Sequence, residues 1–377
     1  MKKEETTPRE FFGTGFFDWQ FSCKSHEDMW NERQYNEEKY WGGFSKDPLP
    51  ADYQLPYWAI GGFKKHGEPL LGPTEGEWDC GHFGGGVHNG SCLYRNGQFY
   101  YIYRGEFPIT EEEMVNPNID YKCDIGLAIS KDGIHFEKQY DVSPFFRKGE
   151  DMRYSYEDVN VVENEGRYYM FINRWDWSDM VNPAVCGVFM AYSDDLIHWT
   201  KHGLVYPDAK RIHRNGTVVQ NANNQAVRIN GKFVMFMNDG LMGFSEDMVH
   251  WESVELDTIW PGGEGCFALA DYDKAHPDNV ILFTGGHHTG HFYAVGEVLF
   301  HKDDITHPVE WLPRPVLWVE EQYPWENGLS KDAPHEPVSH WRDTIFFDGF
   351  LLYNGQWRAY YGGSEYYTCL AVSDDVK

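Results

Sequence analysis

Two adjacent carboxylates, Glu157 and Asp158, stand in the run Tyr154-Ser155-Tyr156-Glu157-Asp158-Val159-Asn160-Val161-Val162, where a polar stretch leads straight into a β-branched one. The apolar tail reads as a strand buried in a sheet, and nothing in its packing calls for acids at its start. Burial beside other carboxylates raises a carboxyl pKa into the range useful for acid catalysis. Side chains alternate along a strand, so Glu157 and Asp158 are expected on opposite faces, with only one of them facing a site. Comparable polar groups flank other apolar runs. His88-Asn89 precede the first, Asn173-Arg174-Trp175-Asp176 end another, Asn221-Ala222-Asn223-Asn224-Gln225 begin a third, and Gly262-Gly263-Glu264-Gly265 begin a fourth. His335-Glu336 and Arg342-Asp343 come before a fifth. Each alone reads as a strand-end turn; their recurrence at equivalent places points to one shared site.

The elements that must position these groups are repeated. A short phrase returns as Ser130-Lys131-Asp132-Gly133-Ile134-His135-Phe136, Ser193-Asp194-Asp195-Leu196-Ile197-His198-Trp199, Ser245-Glu246-Asp247-Met248-Val249-His250-Trp251 and a clipped Ser373-Asp374-Asp375-Val376-Lys377, each after an apolar run. A hairpin signal precedes each phrase: a turn at Gly97, Gly166, Gly231 or Gly355, then an aromatic or β-branched run, with a weaker copy at Pro277-Asp278-Asn279. The unit is therefore strand, tight turn, strand, loop, strand, phrase, strand. Four antiparallel strands repeated five times predict an all-β fold, a five-bladed β-propeller in one domain over residues 1–377. The last phrase ends the sequence, so a strand from residues 1–80 is expected to close the ring, with the rest of that segment looping over one face. The Ser and Asp of the phrase read as turn-forming scaffold. Chemistry is expected where innermost strands converge on the axis.

The composition agrees with a large folded unit: 377 residues, 41% hydrophobic and 17% aromatic. The net charge is −27, which argues against nucleic acid and anionic membranes as partners. No apolar run is long enough to span a bilayer, and Met1-Lys2-Lys3-Glu4-Glu5 opens without an apolar leader stretch. The seven cysteines are scattered with no CxxC pair, which reads as reduced thiols and a cytoplasmic location. His276, His287, His288, His291, His301 and His307 are dense, but the adjacent His287 and His288 fall on alternate faces, so no metal site is expected. A homo-oligomer is left open.

Several segments resemble glycoside hydrolase family 130, the five-bladed mannoside phosphorylases and mannosidases, over roughly residues 85–375. Glu157-Asp158-Val159-Asn160 followed by Gly166-Arg167-Tyr168-Tyr169 is similar to that family's Glu-Asp-Pro-Arg motif and the turn after it. Leu93 to Arg104 resembles its strand ending in Tyr-Arg. Leu282-Phe283-Thr284-Gly285-Gly286-His287-His288 resembles its Tyr-His-Gly strand, and Tyr360-Tyr361-Gly362-Gly363-Ser364-Glu365 its closing Tyr-Tyr-Gly-Ala-Ala-Asp. Val159 and Asn160 depart from the motif's Pro and Arg, and Glu365 from its Asp. The phrase repeat also resembles families 43 and 32.

The resemblance implies a glycoside-cleaving enzyme with Asp158 as proton donor. Such cleavage needs a second carboxylate, for which Glu264 or Glu336 is the candidate. Asn89, Arg104, Glu157, Asn173, Arg174, Asn224, His287, His288, Tyr361 and Glu365 are the candidate sugar-binding residues. Hydrolysis of an oligosaccharide is the first expectation, with no cofactor. A phosphorylase would use inorganic phosphate as co-substrate and needs a cation cluster, for which Arg104, Arg153, Arg174, Arg214 and His287-His288 are available. A propeller that binds carbohydrate without catalysis is the third reading.

Overall fold

The computed structural model describes residues 49–81, 86–108, 122–147, 153–176, 186–209, 212–238, 240–256, 260, 263–285, 293–339 and 344–377, and the backbone of the short hairpin Tyr40–Trp41 and Phe44–Ser45. Five antiparallel sheets follow one another along the chain and form the five blades of a propeller. Blade one runs Val87–Arg95, Gln98–Glu106, Cys123–Ser130, Phe136–Lys138 from inside to outside; blade two runs Tyr154–Asn164, Arg167–Asp176, Cys186–Ser193, Thr200–Leu204. Blade three runs Thr217–Val218, Lys232–Phe236, Leu241–Ser245, Trp251–Glu255, and blade four Glu264–Ala270, Asn279–Gly285, Val295–His301, Glu310–Trp311. Blade five runs Ile345–Tyr353, Gln356–Gly363, Tyr367–Ser373, and its outermost strand is Lys64–Lys65, from far upstream in the chain. Among the described residues no helix is long and apolar enough to cross a membrane.

Each inner and middle strand is apolar on both faces because a blade is sandwiched between two others. The buried side chains accordingly fall into five clusters, one at each blade–blade interface. The outermost strands read differently. Lys201, His202, Glu252 and Glu255 are exposed, since these strands have solvent on one side.

The Ser-x-Asp phrase is a self-contained turn. Ser193 Oγ accepts from the backbone N–H of Asp195 and Leu196 at 3.1 and 2.9 Å and faces Asp195 Oδ1 at 3.0 Å. Asp195 Oδ1 then accepts from the N–H of Ile197 and His198, and its other oxygen meets His198 Nδ1. The copies at Ser130 and Ser245 repeat these bonds. The Ser hydroxyl and the second Asp carboxylate of the phrase are used in shaping the chain, as the turn reading expects.

Blade three departs from the regular pattern. Asn221–Gln225 does not begin its inner strand but interrupts it: Thr217–Val218 and Arg228–Ile229 both pair with Lys232–Phe236, Val219 still donates to Val234 O at 2.9 Å, and residues 220–226 loop out between Val219 and Val227. Asn221 Oδ1 accepts from Asn223 and Gln225 N–H, and Asn224 takes a left-handed φ of 58°, so the asparagines make a turn. This loop hydrogen-bonds to the late parts of the other inner strands. Its partners are Arg95 of blade one (2.7 Å), Glu163 of blade two (2.8 Å), Ala268 and Ala270 of blade four (3.0 and 2.8 Å) and Leu352 of blade five (3.0 Å).

Ring closure rests on Lys65. Its side chain is 3% exposed, and Nζ lies 2.7 Å from Glu326 Oε2 and 3.3 Å from Glu320 Oε2. Glu326, fully buried, also accepts from Tyr361 Oη at 2.7 Å. Replacing Lys65 with Met leaves that carboxyl without its cation. The variant is expected to lose about 3–5 kcal/mol of unfolding free energy in a denaturant titration at neutral pH, the cost typical of breaking a buried pair by removing one partner.

Candidate active site

The inner strands begin with a shared irregularity. In blade one the register against the second strand shifts between His88 and Ser91, and in blade two between Glu157 and Asn160. One residue is extra in each, a β-bulge. The residues at its centre, Asn89 and Asp158, have φ of 44° and 53°, and Asn215 ahead of the blade-three strand has 54°. Asn and Asp tolerate this left-handed conformation better than other non-glycine residues. His88-Asn89-Gly90-Ser91, Glu157-Asp158-Val159-Asn160 and Arg214-Asn215-Gly216-Thr217 are thus three versions of one device.

The bulge overturns the expectation of simple alternation. Glu157 and Asp158 both turn to the same guanidinium: Arg104 Nη1 lies 3.3 Å from Glu157 Oε2 and 3.6 Å from Asp158 Oδ1. Arg104, 2% exposed, also places Nη2 2.9 Å from Glu106 Oε1 and 3.9 Å from Glu365 Oε2, and its Nε donates to Cys123 Sγ at 3.3 Å. Four carboxylates from blades one, two and five share one buried cation. Within this set Asp158 and Glu365 are the more open, with side chains 12% and 14% exposed against 2% for Glu157 and 7% for Glu106.

Asp158 is held by two amides. Asn89 Nδ2 donates to Oδ1 at 3.0 Å and Asn173 Nδ2 to Oδ2 at 2.9 Å. The orientation of the Asn173 amide is fixed independently: its Oδ1 accepts the backbone N–H of Asn215 at 2.7 Å, so its NH2 must face Asp158. That NH2 also donates to Asn215 Oδ1 at 2.7 Å, which ties blade three to the cluster. Glu264 joins beyond Asn215, paired with Arg214.

Burial is the largest cause of the carboxyl shifts. It pushes Glu157 up to about 7 against the pull of Arg104, with Asp158 adding to the rise and Trp175 Nε1 donating to Oε1. Glu365 is likewise pushed up to about 7 by burial, with Arg104 and His88 opposing and Glu106 and Asp158 reinforcing. Burial also raises Glu264, opposed by Arg214 and helped by Asp158. His88 is lowered to about 4 by burial and then by Arg104, so its imidazole is neutral near pH 7.

His88, Glu106 and Glu365 bring one nitrogen and two carboxylates within 4.8 Å of one another. The corner they form already contains a cation, since Arg104 Nη2 contacts both carboxylates. The trio therefore reads as part of the arginine-centred ion cluster.

Of the residues singled out in the sequence, Asn89, Arg104, Glu157, Asp158, Asn173 and Glu365 converge, and Glu264 stands next to them. Arg174 lies on the opposite face of its strand from Asn173, its guanidinium 4.4 Å over the Tyr154 ring. Asn224 is in the loop at the other end of the inner strands, donating to Phe350 O and Gln220 Oε1. Tyr361 belongs to the Lys65–Glu326 group. Glu336 is exposed in a turn whose backbone pairs with Ser330 and Ala333. His287, His288, Arg342 and Asp343 lie outside the described residues. Glu106 and Asn215 were not identified from sequence as site residues. Glu106 follows Arg104 by two and so shares its face, a usable signal.

No protein-family profile matches the chain, and no curated protein matches it in sequence. Solved structures do match in shape. A glycosyl hydrolase from Bacteroides ovatus superposes with a TM-score of 0.65 at 20% identity, covering 85% of this chain and 96% of its own. A structure from the glycoside hydrolase family 130 mannoside phosphorylases, a family described as containing hydrolases of β-1,2 mannosidic linkages in Candida mannan, gives 0.64 at 20% identity over 85% and 95%. The β-1,2-mannobiose phosphorylase of Listeria innocua gives 0.60 at 16% identity over 83% and 97%. The chain shares the five-bladed fold of these proteins. At such identities the likeness establishes architecture.

The raised carboxyls have a consequence for stability. Glu157 and Glu365 hold protons more tightly when folded (about 7) than an ordinary glutamate (4.5) does, so their contribution is full below about pH 4.5 and is lost as pH rises through about 7. Glu157→Gln, which keeps an acceptor for Trp175, is expected to flatten the fall in unfolding midpoint between pH 5 and pH 8. Parallel denaturant titrations of both proteins at the two pH values check this.

Proposed function

We propose that this protein hydrolyses glycosidic bonds of an oligosaccharide, with its chemistry at the carboxylate cluster around Arg104. The observation that carries the reading is the convergence of Asp158, Glu365, Glu157 and Glu106 on one buried guanidinium at the starts of the inner strands, two of the four open to a ligand. Cleavage of a glycosidic bond passes through an oxocarbenium-like transition state and needs a proton delivered to the leaving oxygen and a second carboxylate on the sugar or its water. The cluster offers carboxyl groups of both kinds, one pushed up to about 7 and one hydrogen-bonded by two amides. The named hydrolases and phosphorylases of the same architecture support this choice of chemistry.

Hydrolysis is favoured over phosphorolysis by charge. Phosphate needs uncommitted cations, and the two arginines of the cluster are already matched: Arg104 by four carboxylates and Arg214 by Glu264. Arg153 lies 3.8 Å from Asp176. An incoming phosphate would face five carboxylates against two guanidinium groups among the described residues. The same excess favours a neutral sugar over uronates or sulfated sugars. Buried carboxyls that hold their protons to about pH 7 also favour catalysis over binding alone, because a passive lectin-like surface gains nothing from that desolvation.

A panel of neutral aryl-glycosides and manno-, arabino-, galacto- and fructo-oligosaccharides, assayed with and without inorganic phosphate, tests the reading. Turnover without phosphate, and a loss of roughly 10²–10⁴-fold or more in Asp158→Asn with an unchanged unfolding midpoint, is the expected result. Turnover that requires phosphate would replace hydrolysis by phosphorolysis. Sugar binding by the wild type with no turnover of any glycoside, unchanged when the cluster is neutralised, would make the protein a binding module.

A further inference from the structure

We infer that the two open carboxylates divide the labour in the opposite sense to the sequence expectation: Glu365 is the proton donor, and Asp158 is the partner that takes the proton of the attacking water. The inference rests on the hydrolase reading and deepens it.

The hydrogen bonds around Asp158 carry the argument. Both of its oxygens receive N–H donors, from Asn89 and Asn173, and Arg104 Nη1 adds a third donor group 3.6 Å from Oδ1. The Asn173 amide cannot turn over to accept, because its own oxygen is taken by the Asn215 N–H. Both Asp158 oxygens are thus used as acceptors of amide N–H groups, and the fixed Asn173 amide offers Oδ2 a donor and no acceptor. Every fixed neighbour therefore fits the anion, the form that accepts only.

Glu365 has the complementary surroundings. It sits on a two-residue left-handed turn, Ser364 and Glu365 with φ of 50° and 51°, at the end of the second strand of blade five. Among the described residues the groups facing it are Arg104, His88, Glu106, Asp158 and Tyr293. Arg104 stands 3.9 Å away and is shared with three other carboxylates at shorter range, while His88 is neutral near pH 7. The other close neighbour, Glu106, is a like charge. A proton on Glu365 relieves that repulsion, and its side chain is the most open of the four.

In the forward step the glycosidic C–O bond breaks as the Glu365 proton moves to the leaving oxygen, leaving Glu365 as carboxylate. A water oxygen bonds to the anomeric carbon and its proton passes to Asp158. Solvent then exchanges protons with both groups and restores the starting state.

Leaving-group dependence separates the roles. In Glu365→Gln, hydrolysis of an unactivated oligosaccharide is expected to fall by about 10²–10⁴-fold, while a dinitrophenyl glycoside, whose leaving group needs no proton, retains most of its rate. The fall of kcat/KM as pH rises through about 7 in the wild type is expected to vanish in this variant. In Asp158→Asn both substrates are lost together. If instead Asp158→Asn is the variant selectively spared by the activated leaving group, or the alkaline limb persists in Glu365→Gln, the assignment is overturned and Asp158 is the acid. Infrared difference spectra against Glu365→Gln give a readout without turnover: of the carboxylic C=O signal titrating near pH 7, to which Glu157 and Glu365 both contribute, one component must disappear in that variant and both must persist in Asp158→Asn. Absence of that change refutes the protonated Glu365 by itself. Failure of the wild type to cleave any glycoside refutes the hydrolase reading, and the catalytic roles with it.

Discussion

Arg104 is the constraint on which the site depends. One guanidinium, almost wholly buried, stands among carboxylates drawn from blades one, two and five. Burying several acids together is costly unless a cation and directed hydrogen bonds compensate. The planar donor fork of arginine can serve several carboxylates at once, which a lysine ammonium cannot do with the same geometry. The compensation is incomplete, and the residual cost appears as protons held on Glu157 and Glu365 near pH 7. Stability and reactivity here are one electrostatic quantity.

The bulges at the starts of the inner strands make that concentration of charge geometrically feasible. A regular strand would offer the axis every second side chain. With one extra residue and a left-handed Asn or Asp, two consecutive residues reach the same side. Asn89, Asp158 and Asn215 occupy the same position in three successive blades, so the repeat that builds the scaffold also builds a ring of polar groups. Blade two carries an acid where the other two carry amides, and one of those amides together with Asn173 steadies the acid.

The fold was legible because its signals are local. The Ser-x-Asp phrase closes its own hydrogen bonds within a few residues, and Asn-Gly turns before apolar runs need no partner from elsewhere, so both survive as sequence pattern. The site was legible in part. Glu157-Asp158, Asn89, Arg104, Asn173 and Glu365 stand out as polar residues at strand ends. The bulge does not, because it is a relation between two strands, and alternation was the only rule available without it. Asn221–Gln225 and Asn215 show the same ambiguity from opposite sides. An asparagine-rich stretch supports either a turn or a polar site, and only the surroundings decide: Asn221–Gln225 became a turn, and Asn215 became part of the cluster. Glu336 lies in a surface turn for which adjacency to His335 gave no warning.

The loop at residues 220–226 gives the propeller a floor. Propeller axes are commonly channels, yet here backbone and side-chain bonds to Arg95, Glu163, Ala268, Ala270 and Leu352 fasten one segment across the late parts of the inner strands. Asp158 and Glu163 lie five residues apart on one strand, so the floor is roughly 15 Å below the carboxylates at strand spacing. Among the described residues, backbone therefore crosses the axis on the side away from the carboxylates. The two ends of the axis are therefore not alike: one is crossed by main chain, and the other gathers the charged side chains.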